Sequence, residues 1–106
     1  MSENIKKGYV EAKSRGVRIR YVTEITRENL EHCIELTKYV ELRHLASIKA
    51  SSAVSEGEFV AGIRGKKTLD KLIYSDSPEI VAHERAVFET LWASAAPAAR
   101  RIKELN

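Results

Sequence analysis

The spacing of apolar positions along the chain changes several times, and each change marks an element. Over residues 3–15, Ile5, Tyr9, Val10 and Ala12 recur at helical intervals, and Gly16 stands where a helix commonly ends in the left-handed conformation. Val17, Ile19 and Tyr21 then alternate with Arg18, Arg20 and Thr23 around Val22, which predicts a strand over residues 17–22, interior to its sheet. Thr26 offers a hydroxyl cap and Glu28 a first-turn acid to a second helix, which buries Leu30, Cys33, Ile34 and Leu36 or Thr37 and runs to about Tyr39.

No helical period survives between residues 40 and 63. Short apolar patches broken by Ser51, Ser52, Gly57 and Gly62 predict short strands instead, one of them holding His44 between Arg43 and Leu45. Ser55-Glu56-Gly57-Glu58 reads as the turn of a hairpin that joins residues 49–54 to residues 59–63. Residues 64–70 read as a polar loop, followed by a short strand at Leu72, Ile73 and Tyr74. Ser77 and Pro78 suit the cap and first position of a long helix reaching Ala95. Its apolar stripe of Ile80, Val81, Val87, Phe88, Leu91, Trp92 and Ala95 puts Phe88, Leu91 and Trp92 forward as core anchors. Pro97 interrupts the helix before a last amphipathic segment with Ile102 and Leu105. The expected fold is a single α/β domain over residues 1–106: one mixed sheet of about five strands flanked by three helices, in the order α-β-α-β-β-β-β-α.

Composition narrows the chemistry. The 106 residues are 43% hydrophobic, enough for one core, and 18 basic residues are interleaved with 15 acidic ones for a net charge of +3. Interleaving describes a solvated surface, and the pairs Lys6-Lys7, Lys66-Lys67 and Arg100-Arg101 are separate and lack interspersed aromatics, so no direct nucleic-acid partner is expected. Cys33 is the one cysteine; its place in an apolar stripe predicts a buried thiol. His32, His44 and His83 lie on different elements without metal-ligand spacing, so neither metal nor cofactor is expected. No apolar run is long enough to span a membrane and no leader is evident, which predicts a cytoplasmic protein.

Five blocks of sequence carry a family resemblance: Ala12-Lys13-Ser14-Arg15-Gly16-Val17, Leu42-Arg43-His44-Leu45, Val54-Ser55-Glu56, Leu72-Ile73-Tyr74-Ser75 and Phe88-Glu89-Thr90-Leu91-Trp92. Together they resemble the regulatory domain of archaeal sensor histidine kinases and archaeal transcription regulators, which is similar in turn to one half of the phospholipase D fold. The resemblance implies a strand-turn-strand unit bearing a His-x-Lys-x4-Asp motif. With Lys49 as the motif lysine, Ser47 stands where the histidine nucleophile belongs and Val54 where the aspartate belongs, and His44 lies three residues too early. The implied function is therefore a non-enzymatic sensor or regulatory module, either joined to kinase or transcription-regulator modules in a longer chain or a stand-alone relative of that module. A dimerisation or protein-interaction module and a degenerate phosphodiesterase are the alternatives.

A ligand would sit beyond the carboxyl ends of the strands, where Thr23, Glu24, His44, Lys49, Ser75, Asp76 and Ser77 are the candidate contacts; its identity is unknown, and capping explains several of these residues without it. One half of a paired fold leaves surface to cover, so a homodimer is expected through residues 93–105 or the sheet edge near His44.

Overall fold

The computed structural model describes residues 3–48, 50–64 and 69–106. The order of elements is α1 (Glu3–Ser14), β1 (Arg20–Thr23), α2 (Leu30–Leu36), β2 (Glu41–His44), β3 (Ala50–Val54), β4 (Phe59–Arg64), β5 (Leu69–Ser75), α3 (Pro78–Ser94), β6 (Ala96–Pro97) and α4 (Ala98–Leu105). The expected order holds through the long helix. A sixth strand and a fourth helix follow it, because the backbone of Ala95 turns extended (φ −88°, ψ 149°) and Pro97 cannot continue a helix.

The six strands form one open sheet in the order β5-β4-β3-β1-β2-β6. β1 and β2 are parallel, with α2 as their crossover, and every other neighbouring pair is antiparallel. The β3–β4 hairpin closes where its turn residues predict, with Val54 opposite Phe59 and the Ser55 N–H donating to the Glu58 carbonyl at 3.0 Å. β1 is interior, as its apolar content predicts, but its pairing begins at Arg20 and not at Val17. Pro97 is tolerated in β6 because that strand is an edge, where a missing N–H costs no ladder bond.

Helices cover both faces of the sheet. On one face α1, α2 and α4 enclose Ile25, Cys33, Leu36, Val40, Leu42, Ala98 and Leu105; on the other α3 packs Val81 and Phe88 onto Val22, Val54 and Phe59. Adjacent residues of β1 therefore serve different cores, Tyr21 the first and Val22 the second. Cys33 is buried, as its stripe predicts.

The C-terminal segment folds back on its own sheet. Ala98 and Leu105 are buried, and β6 pairs with Arg43 and His44 of β2, so the sheet edge near His44 is already occupied. Of the two surfaces expected to hold a homodimer, the edge of β2 is thus covered by β6, whereas residues 93–105 bury Ala98 and Leu105 and leave Ala93, Ala99, Arg100, Lys103 and Glu104 exposed. At the edge opposite β6, Leu72, Ile73 and Tyr74 of β5 remain exposed beside a register shift at Ile63/Arg64. Among the described residues no helix is long and apolar enough to cross a membrane.

Gly16 ends α1 at φ +76°, with nothing within 4 Å of the position its Cβ would take. Gly16→Ala is expected to cost about 1 kcal/mol from backbone strain alone, lowering Tm by roughly 4–8 °C. A calorimetric melt unchanged by the substitution would show that the turn relaxes at no cost.

Candidate functional site

The anticipated ligand contacts divide between opposite ends of the sheet. Thr23 and His44 are register neighbours at the carboxyl ends of β1 and β2. Ser75 pairs with Phe59, which is opposite Val54, and Val54 pairs with Arg20, so Ser75, Asp76 and Ser77 lie toward the amino end of β1. β5 runs antiparallel to β1 in the sheet, and its end is therefore no part of a cleft with Thr23. Lys49 lies outside the described residues.

At the carboxyl end the polar groups hold the β1–α2 connection in place. Thr23 is 3% exposed and its hydroxyl bonds to that of Ser51 at 2.6 Å. His44 Nδ1 accepts the Ile25 N–H at 2.9 Å, which leaves the proton of a neutral ring on Nε2. Arg101 of α4 donates from Nε to the Ile25 carbonyl at 3.0 Å, so the two polar groups of this fully buried residue are met by side chains from different elements. Asn29 donates to the Glu24 carbonyl and accepts the Thr26 N–H, and Arg27 donates to the Leu105 carbonyl. Asn29, not a Thr26 cap, thus closes the turn into α2. Burial, and next the Arg101 charge, holds the His44 pKa below its ordinary value, while Glu24 and Glu104 pull the other way. This end of the sheet is a clasp that holds both backbone polar groups of Ile25.

At the Ser75–Ser77 end, both serine hydroxyls are engaged from within. Ser75 Oγ accepts the Ser77 N–H at 3.1 Å, and Ser77 Oγ bonds to Glu79 at 3.0 Å. The Glu79 carboxyl is held below its usual range by its own backbone N–H and then by Ser77, so the start of α3 already carries its negative charge. The motif positions fare no better for catalysis: Ser47 is exposed in a left-handed turn (φ 63°) and Val54 is 2% exposed in the core. Among the described residues no cluster of three or more His, Cys, Asp or Glu side chains is arranged to hold a metal.

Two features escape the sequence pattern. Trp92 is half-buried and not a sealed core residue: its ring has the Arg43 guanidinium 4.1 Å from its centroid and that of Arg20 at 5.6 Å, and it stacks on Phe88 at 5.6 Å. Arg43 also donates to the Trp92 carbonyl at 2.8 Å, and Arg20 pairs with Glu89. Alternation marks Arg20 as facing away from Tyr21; it cannot reveal that the far face is covered by α3.

The second is a cationic cleft at the amino ends of β1 and β2. Lys13 of α1, Val17 and Arg18 of the following turn, and Lys38, Tyr39 and Glu41 from the end of the α2–β2 connection line it. Tyr9 and Tyr39 stack with centroids 6.1 Å apart and close the seam between α1 and this connection. Lys13 Nζ donates to the Lys38 carbonyl at 2.6 Å, and the Glu41 N–H to the Ile19 carbonyl at 2.9 Å, which pins the walls. Arg18 takes both Glu41 carboxylate oxygens, and this contact keeps the Glu41 pKa below the usual range.

Charge is segregated around this cleft. Residues 5–18 carry Lys6, Lys7, Lys13, Arg15 and Arg18 against Glu11 alone, whereas residues 28–35 carry Glu28, Glu31 and Glu35, and α3 carries Glu79, Glu84 and Glu89 against Arg85. Arg85 is turned onto the Ser55 carbonyl. The evenly mixed charge of the sequence is unevenly placed on the fold, since helices that are separate in the chain present different signs.

No protein-family model and no curated protein matches the sequence. Among solved structures the chain is similar in fold to TrmBL2, described as an archaeal chromatin protein with a novel mode of DNA binding. The TM-score is 0.59 at 17% identity, over 90% of this chain and 40% of that one. The chain thus spans about two-fifths of that protein's length. This likeness corrects the resemblance drawn from the five sequence blocks, since the chain is similar in fold to part of that protein, and no sensor-kinase or phospholipase D-like relationship is supported. Those blocks are mostly element boundaries and amphipathic stretches, which α/β domains of many families share.

Proposed function

We propose that this chain is a non-enzymatic, DNA-associated α/β module that meets the phosphate backbone through α1 and the loops beside the cationic cleft. The observation that carries the reading is the concentration of Lys6, Lys7, Lys13, Arg15 and Arg18 on one segment of a fold whose α2 and α3 are acidic. A duplex is drawn to such a surface by release of its counterions, without any base-specific contact. The fold shared with a chromatin protein described as binding DNA supports the same reading. It also overturns two expectations, the sensor module of a signalling protein and the exclusion of nucleic acid. A charge count over the whole chain hides this, because the basic residues gather in residues 5–18 while α2 and α3 are acidic.

The non-enzymatic part of the reading is supported by chemistry: a serine in an exposed turn and a valine in the core supply neither the nucleophilic imidazole nor the carboxylate that phosphotransfer by such a motif needs.

Fluorescence anisotropy with a short duplex over a range of salt tests the proposal. Binding is expected to weaken log-linearly with salt, and the combined Lys6→Ala, Lys7→Ala and Lys13→Ala variant to lower the slope by about one for each phosphate contact removed. No binding at low salt, or an unchanged slope in the variant, would refute it.

A further inference from the structure

We infer that the cleft between Lys13, Arg18 and Lys38 is a phosphate-binding subsite whose resting occupant is the carboxylate of Glu41. The inference deepens the DNA-associated reading and rests on it for the source of the phosphate, but its geometry stands apart. Basic residues line the cleft from segments well separated in sequence: Lys13 from the last turn of α1, Arg18 from the turn before β1, and Lys38 from the connection before β2, where its carbonyl accepts the Lys13 ammonium. Glu41 is the acid among its lining residues.

Arg18 engages Glu41 through two parallel donors, Nε on one oxygen and Nη2 on the other at 3.0 Å. A phosphate presents the same pair of oxygens to a guanidinium fork, so it can take the place of the carboxylate without the backbone moving. The exchange is easy on the protein side, because the side chains of Arg18 and Glu41 are 68% and 47% exposed, and an ion pair so placed is weak. Lys13 spends one ammonium hydrogen on the Lys38 carbonyl and keeps two for an incoming oxyanion. The bond from the Glu41 N–H to the Ile19 carbonyl holds the wall bearing Glu41 against the strand that follows Arg18. The cleft is therefore preformed, and its own carboxylate holds down its affinity for phosphate.

The ligand chemistry is a phosphate oxyanion, and two probes separate its sources. Inorganic pyrophosphate followed by isothermal titration reports the subsite alone, and a short duplex followed by anisotropy reports the nucleic-acid backbone. Glu41→Gln keeps the size and the backbone contact while removing the competing charge; it is expected to tighten both ligands roughly fivefold, the ceiling for an exposed ion pair. Adding Arg18→Ala to that variant is expected to abolish the gain, as coupling between two contacting groups requires. A thermal melt of each variant checks that it folds. Pyrophosphate binding that ignores Glu41→Gln, or a gain that persists without Arg18, overturns the subsite even where the duplex still binds. Pyrophosphate binding that responds as expected while no duplex binds upholds the subsite and sinks the DNA-associated reading instead.

Discussion

Phe88→Ala is expected to destabilise the fold by about 3–5 kcal/mol, the range for emptying a well-packed aromatic site. Phe88 is 1% exposed and is enclosed by Val22, Val54, Phe59 and Val81, so it ties α3 to three strands of the sheet at once. A domain of this size has about 5–15 kcal/mol in total, and the variant is expected to be partly unfolded at modest urea concentrations. Trp92→Ala is expected to cost less, since its ring is half-exposed and packed partly against the guanidinium groups of Arg20 and Arg43. Urea titration of the two variants beside the parent decides the order. A loss below about 1.5 kcal/mol for Phe88→Ala would mean that the second core does not depend on this ring.

Acid is expected to loosen the β1–α2 connection, with His44 as its sensor. The imidazole accepts the N–H of the fully buried Ile25, and a ring protonated at Nδ1 can no longer accept it. Its pKa is lowered from 6.5, first by burial and then by Arg101, with Glu24 and Glu104 opposing. Near and below pH 6.5 the unfolded chain consequently binds more protons at this group than the folded chain does. Stability must then fall as pH drops from 6.5, and the loss levels off once the folded ring is itself protonated. Glu41 and Glu79, both lowered from 4.5, add their losses only at lower pH, below about that value. His44→Ala is expected to cost about 1–3 kcal/mol at neutral pH, because the Ile25 N–H is left buried without an acceptor. His44→Asn supplies an amide oxygen that does not titrate, and urea unfolding between pH 5 and 8 is expected to lose its slope. A slope retained in full by that variant would assign the acid response to another group.

How far these features could be read in advance follows from the range of the interactions that make them. The hairpin was legible because Gly57 and its polar neighbours interrupt two β-rich runs at a fixed offset, and α3 because Pro78 and a three-four periodicity are written within a few residues. The edge strand β6 was not: two residues carry no period, and Ala96 and Pro97 become a strand only where β2 offers an unpaired edge. That Ser75, Asp76 and Ser77 lie at the opposite end of the sheet from Thr23 is invisible in the sequence, because side-chain alternation is the same whichever way a strand runs.

By itself, then, the sequence determined the elements whose causes are local: the helices, although Ile34, Ile80 and Val87 of their expected buried stripes are exposed, the alternation in β1, the left-handed stop at Gly16, the turn at Gly57 and the burial of Cys33. Only the tertiary structure decided which strand lies at the edge, how Arg101 and His44 come to hold the two sides of Ile25, why Arg20 and Arg43 flank Trp92, and that Lys13, Arg18, Lys38 and Glu41 share one cleft. The physical reason is that periodicity reports which face of an element is apolar, whereas a polar group takes its role from whatever partner the packed core brings within hydrogen-bond reach.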